Sequence, residues 1–201
     1  MNKSRPTFSR MNRRIRAFVV TACIVAGLSP LKSSAQVSVS TNALEWFTTT
    51  INAGVEYAFD DDYSVMLDGM INPWNFHNDE HFHLWMGRLE GRRWWSEKKD
   101  GHFVGLHVLG GQYNIKNIDL PFGMLPRTEK GRHYEGWMLG VGVSYGYRWI
   151  LSSRWTVEAS AGIGYVYSPY KLYGRCARVL SRHDRNYVGP TRLAVSVAYH
   201  F

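Results

Sequence analysis

Along most of this chain, apolar side chains recur at every second position. Trp137, Leu139, Val141, Val143, Tyr145, Tyr147 and Trp149 alternate with Gly136, Met138, Gly140, Gly142, Ser144, Gly146 and Arg148. A period of two places one set on one face of an extended strand, whereas an amphipathic helix repeats every 3.6 residues. Trp155, Val157, Ala159, Ala161, Ile163, Tyr165 and Tyr167 follow the same rule, as do Leu193, Val195, Val197, Tyr199 and Phe201. Applied backward, the rule predicts eight strands near residues 37–46, 50–59, 63–73, 83–95, 102–113, 135–150, 154–167 and 190–201.

The connections predict how these strands are arranged. Asp60-Asp61-Asp62, Ser96 to Asp100 and Ser152-Ser153 are short, whereas Asn75 to Phe82, Asn114 to His133 and Ser168 to Tyr187 are long. In an up-and-down meander the short turns then gather at one end and the long loops at the other. Outer-membrane barrels have this asymmetry, together with an even strand count. A soluble eight-stranded barrel would also alternate and close, but it needs a wet outer wall. Every Lys after residue 36 (Lys98, Lys99, Lys116, Lys130, Lys171) falls in an expected turn or loop. The expected fold is therefore an all-β, eight-stranded antiparallel up-and-down transmembrane barrel.

Residues 1–35 read differently. Lys3, Arg5, Arg10, Arg13, Arg14 and Arg16 precede an apolar run from Ala17 to Leu28, then Pro30 and Ser33-Ser34-Ala35. That order is a secretory signal with a cut before Gln36, and the run is too short to span a bilayer as a helix. A lipidated Cys23 is the less favoured processing route, because its preceding apolar stretch is short. Removing residues 1–35 takes seven Lys and Arg and no acid, so the formal charge falls from +8 to +1 over residues 36–201. The basic total thus gives no reason to expect nucleic acid as a partner. One cysteine, Cys176, remains after the cut and cannot form an internal disulfide.

Tryptophans sort to the two ends of the strands. Trp46, Trp74, Trp85 and Trp137 fall at the long-loop ends, and Trp94, Trp95, Trp149 and Trp155 beside the short turns. Trp137 and Trp149 are separated by roughly 30 Å along the axis, at about 3.3 Å per residue and a tilt of about 40°. Two aromatic girdles flanking an apolar band have about that spacing. Tyr199 and Phe201, in phase with the apolar face, are expected to be read by the barrel-assembly machinery.

The opposite face predicts what fills the interior. Alternation sends Glu56, Asp68, Arg88, Glu90, Arg92, His107, Arg148, Glu158 and Arg192 into the lumen. Eight strands leave room for little more than side chains, so four acids and four arginines are expected to pair and plug it. The alternatives are a narrow channel, or a binding or proton-relay site at Arg88, Glu90 and Arg92.

Catalysis has one weaker candidate. His77, Asp79, Glu80, His81 and His83 cluster in the second outer loop, but they lack a helical frame for metal ligation. A lipid-modifying enzyme is therefore the alternative, and no metal, cofactor or catalytic residue is assigned. The third and fourth loops carry net charges of +2 (Lys116, Arg127, Lys130, Arg132 against Asp119, Glu129) and +4 (Lys171, Arg175, Arg178, Arg182, Arg185 against Asp184). Such loops suit anionic lipopolysaccharide headgroups or acidic surface glycan.

Several stretches resemble one family: Asn72-Pro73-Trp74, Glu90-Gly91-Arg92-Arg93-Trp94, Gly101-His102-Phe103-Val104-Gly105-Leu106-His107, Gln112-Tyr113-Asn114, Tyr134-Glu135-Gly136-Trp137, Gly140-Val141-Gly142-Val143-Ser144-Tyr145-Gly146-Tyr147, Trp155-Thr156-Val157-Glu158 and Asn186-Tyr187-Val188-Gly189-Pro190-Thr191. Together they resemble domain-of-unknown-function family 3575, small outer-membrane barrels. The resemblance implies the outer membrane of a Gram-negative cell and, frequently, genes beside fimbrial subunits and assembly proteins. It implies no established activity. The expectation is a signal peptide (1–35) and a non-enzymatic barrel (36–201) with periplasmic N-terminus and short turns and with extracellular long loops. Its expected partners are outer-membrane lipid, lipopolysaccharide, the assembly machinery and fimbrial or other surface proteins.

Overall fold

A computed structural model describes residues 37–76, 80–96, 99–116, 125, 132–173 and 179–201. The expected signal peptide with Cys23 lies outside these residues. So do His77, Asp79, Lys98, Asp119, Arg127, Glu129, Lys130, Arg175, Cys176 and Arg178.

The strands are β1 (Val37–Asn42), β2 (Ile51–Ala58), β3 (Tyr63–Phe76), β4 (Glu80–Trp94), β5 (Gly101–Lys116), β6 (His133–Ile150), β7 (Trp155–Tyr167), β8 (Tyr170–Tyr173), β9 (Val179–His183) and β10 (Asn186–His200), with one short helix, α1 (Ala43–Phe47). Strands β1 to β7 pair in sequence order, and β10 pairs with both β7 and β1. Every one of these pairings is antiparallel, so eight strands close into a barrel. Closure removes the exposed sheet edge that an open meander would leave. Among the described residues no helix is long and apolar enough to cross a membrane.

Three boundaries differ from the sequence expectation. The first strand stops at Asn42, because the Asn42 carboxamide accepts the Leu44 N–H at 3.1 Å and donates to Glu45 Oε1 at 2.9 Å. That cap starts α1, and local capping overrides the apolar alternation through Trp46. The Asn75 to Phe82 loop is mostly strand, with pairing from Tyr63↔Arg93 out to Phe76↔Glu80. Within the 168–187 loop, β8 and β9 form a hairpin that extends the sheet from β6, and the buried Leu172 anchors it.

One irregularity matters for the interior. In β10 the register slips between Pro190, opposite Ile163, and Arg192, opposite Gly162. Proline has no N–H for the ladder, and bulges are where it is tolerated. The slip sends both Thr191 and Arg192 into the lumen.

Large and small residues face one another across the strands. Arg92 pairs with Gly105, His107 with Gly142, and Tyr113 with Gly136. A Cβ on Gly142 would lie 2.6 Å from His107 Nε2, and one on Gly105 would lie 2.9 Å from Glu90 Cδ. These glycines let long side chains lie flat across a narrow barrel.

Candidate functional site

The lumen's lower half, toward the short turns, is built from charge. Arg92 on β4 is its centre. Its Nε donates to Glu90 Oε1 at 2.7 Å, and its Nη1 and Nη2 grip the Glu158 carboxylate from β7 at 3.0 Å each. Nη1 also reaches Glu56 of β2 at 3.4 Å. Arg148 of β6 bridges the same two glutamates, donating to Glu158 Oε2 at 2.7 Å and to Glu56 Oε2. Four strands are thereby tied across the barrel by forked guanidinium–carboxylate bonds, the strongest geometry available to such pairs.

Aromatic rings form the floor. Arg148 lies 4.3 Å above the Trp94 ring, and Arg92 lies 4.5 Å above Phe103. Trp94 Nε1 donates to Ser64 Oγ at 2.8 Å, and Ser64 donates to Glu56 Oε1 at 2.6 Å. Trp94 is 2 % exposed, which corrects its expected place in the outer girdle. Alternation along β4, where Arg88, Glu90 and Arg92 point inward, requires Trp94 to point inward too.

A second tier sits above. Arg192 donates to Ser160 Oγ at 2.9 Å and pairs with Asp68 at 3.2 Å and Glu90 at 3.3 Å. Arg88 reaches Asp68 at 3.5 Å. His107 Nε2 is 2.9 Å from Thr191 Oγ1, while its Nδ1 lies 3.7 Å from Glu90 Oε2. Thr191, His107 and Glu90 thus stand in the order of an acyl-transfer triad, but all three are buried and Glu90 Oε2 faces Arg192. The geometry is a cross-brace rather than an accessible nucleophile. Thr191 went unforeseen because alternation alone sends it outward; Pro190 was the only signal of the bulge.

The structure brings Glu56, Asp68, Arg88, Glu90, Arg92, Arg148, Glu158 and Arg192 into this one connected network. Every barrel strand except β1 and β5 supplies a charge, and β5 supplies His107. At this height the side chains of Glu90, Arg92 and His107 have no contact with solvent.

The lumen changes character toward the long loops. Phe82, Leu84, Met86, Leu109, Tyr113, Ile115, Tyr134, Met138, Val166, Leu172 and Tyr187 form an apolar cluster there, closed by Leu125. Alternation marks these positions as inward, yet polarity alone did not distinguish them from a solvated rim. Beside the cluster, α1 places Glu45 against the mouth, near Arg88 and Asp68. Burial pushes the Glu45 carboxyl above the usual carboxylate range, opposed by the Asn42 hydrogen bond and by Arg88.

The outer wall reverses this pattern. Trp85, Gln112 and Trp137 form one register row across β4, β5 and β6. Below it the outward positions are Val55, Leu67, Leu89, Leu106, Val108, Leu139, Val141, Val143, Ile163, Leu193 and their like, all exposed. Above it the next outward row is His83, Asn114, Glu135, Lys171 and Arg182. At the other end Trp95, Trp149 and Trp155 are exposed. Trp46 reaches the wall from α1 and donates to Thr41 Oγ1 at 2.9 Å. Trp74 shares the inward phase of Asn72 and donates to the Thr49 carbonyl at 2.6 Å, so it belongs to the barrel mouth rather than to the outer wall. Tyr199 packs at 5.1 Å from Trp155 and 5.2 Å from Phe201.

Of the expected histidine-rich loop site, His77 and Asp79 lie outside the described residues. Glu80, His81 and His83 are strand positions of β4, and among the described residues no group of three or more His, Cys, Asp or Glu is placed to hold a metal ion. The family model for "Protein of unknown function (DUF3575)" matches residues 18–201, so the chain belongs to that family. No curated protein and no solved structure matches it.

Proposed function

We propose that this member of the DUF3575 family is a non-enzymatic outer-membrane β-barrel, exported by a signal at residues 1–35. Its short turns face the periplasm and its long loops face outward. One observation carries the reading. The wall inverts at the Trp85–Gln112–Trp137 row, apolar below it around the charged network and polar above it around Leu84, Tyr113 and Ile115, while the apolar lumen cluster continues below the row through Met86, Leu109, Met138 and Val166. In water, apolar groups are driven inward; the lower part has them outward over a height of roughly 30 Å. A hydrocarbon surround makes that arrangement favourable, and the row then marks where lipid gives way to headgroups and water.

The lumen supports a barrel that does not conduct, since the arginine–glutamate ties cross it from wall to wall. Function then rests on the outer surface. The described parts of the third and fourth loops carry Lys116, Arg132, Lys171, Arg182 and Arg185, a basic surface suited to lipopolysaccharide phosphates. Fimbrial or other surface proteins are the partners that the family resemblance adds. Refolding residues 36–201 into detergent is expected to give a heat-modifiable band, with the folded form migrating faster. A monomeric, β-rich protein that stays soluble without detergent would sink the reading.

A further inference from the structure

On the outer wall near the short turns lies a cleft away from the long loops. The Trp95 N–H donates to the His102 carbonyl at 3.3 Å, and His102 stands opposite Tyr147 on β6. Trp149 is the next outward residue on β6. Beneath them, the turn leading into β5 is closed by Lys99 N–H donating to Ser96 O at 2.9 Å, with Lys99 and Gly101 in left-handed conformations (φ 52° and 72°). Trp95, Ser96, Asp100, His102, Tyr147 and Trp149 border a cavity of about 390 Å³, together with Arg148, whose guanidinium is held by Glu56 and Glu158. Within it the Tyr147 and Trp149 rings are 4.7 Å apart, and His102 meets Tyr147 edge-on at 4.7 Å.

The chemistry of this lining selects a cation. Aromatic faces carry negative quadrupole potential and attract ammonium groups. Asp100 adds a full negative charge. Its carboxylate and the Ser96 hydroxyl offer hydrogen-bond acceptors, which suits a primary ammonium with three N–H donors better than a quaternary one.

A second observation extends the site. Among the described outward positions between the Trp137 and Trp149 levels, Arg93 is the one carrying Lys, Arg, Asp or Glu, and it pairs with no carboxylate among the described residues. A lone arginine facing lipid is expensive and calls for a partner at that depth. Arg93 lies two residues from Trp95, about 6.6 Å along the strand and toward the middle of the barrel. A cation there and an acid at Asp100 match a zwitterionic headgroup whose phosphate lies deeper than its ammonium.

We propose that this cleft binds one phosphatidylethanolamine headgroup, its ammonium among Trp95, Tyr147, Trp149 and Asp100 and its phosphate on Arg93. The proposal rests on the membrane placement above. Native mass spectrometry of the full mature chain, refolded in dodecyl maltoside doped with phosphatidylethanolamine, phosphatidylglycerol or phosphatidylcholine, tests it. Wild type is expected to retain one phosphatidylethanolamine about ten-fold over phosphatidylglycerol, the ratio that one charge-assisted contact represents. Asp100→Asn is expected to abolish the preference, and Arg93→Gln to weaken retention of both lipids. Equal retention by wild type, an unchanged ratio in Asp100→Asn, or preference for phosphatidylcholine would overturn it. Each protein is checked for its heat-modifiable shift. A shift without lipid selectivity defeats the cleft alone, whereas solubility without detergent defeats the membrane placement.

Discussion

Toward the short turns the barrel is filled with arginine and glutamate, and toward the long loops with leucine, methionine, phenylalanine and tyrosine. The same eight strands thus carry two kinds of core. The upper core follows ordinary logic, because each apolar side chain removed from water gains about 25 cal/mol per Å². The lower core forgoes that gain. If its outer wall meets hydrocarbon, turning a valine inward removes no water, so the interior is free to hold charge. The requirement there is pairing, since an uncompensated buried ion is costly. Arg92 and Arg148 meet it by sharing Glu56 and Glu158, and Arg192 meets it through Asp68 and Glu90.

The sharpest way to separate the two cores is to remove the shared cation. Arg92→Met leaves Glu56, Glu90 and Glu158 to compete for Arg148 and Arg192. It is expected to lower stability by about 3–5 kcal/mol in urea unfolding of detergent-refolded protein. The outer wall offers the complementary break. Val141→Arg, near mid-band, is expected to lose about 2–4 kcal/mol in a bilayer. Lys171→Glu, at an exposed position above the tryptophan row, is expected to change stability by less than about 0.5 kcal/mol. Equal effects at the two positions would dissolve the boundary at the row.

Much of this was legible in the sequence because a period of two is a strict rule. It marks the eight barrel strands, though not the β8–β9 hairpin, and all of the charged lumen residues from Glu56 to Arg192, since each shares a phase with neighbours whose face is unambiguous. It failed where something other than phase decides the geometry. The residue type of Trp94 suggests a girdle position, whereas its own strand's alternation points it inward. Asn42 caps α1 through a local hydrogen bond that periodicity does not register. Thr191 enters through a bulge that adds one residue to one strand. The apolar cluster has no such signature, because Leu84, Ile115 and Met138 look alike whether water or lipid lies behind the strand.

That upper core should respond as a water-facing protein interior does. Ile115→Val, which deletes one methylene from a fully buried side chain, is expected to lower stability by about 0.5–1.5 kcal/mol, less than the loss of Arg92. Retention of the heat-modifiable band with a small shift in the urea midpoint would show it, and a loss as large as that of Arg92→Met would show the two cores to be one cooperative unit.

The smallest effect is expected at the mouth, where α1 holds Glu45. Its folded-state pKa is raised, chiefly by burial, so the folded chain binds its proton more tightly than the unfolded chain does. Stability from this group is therefore fully present below the ordinary carboxylate range and falls as pH rises through the raised value. Glu45→Gln keeps an acceptor for the Asn42 amide, 2.9 Å away in the native pair, while removing the titration. The unfolding midpoint of Glu45→Gln should match wild type at the acidic end and exceed it once the carboxyl of the wild type has ionised. A wild-type midpoint that instead rises through that window, relative to the variant, would mean that Arg88 outweighs burial and that the mouth belongs with the charged core below it.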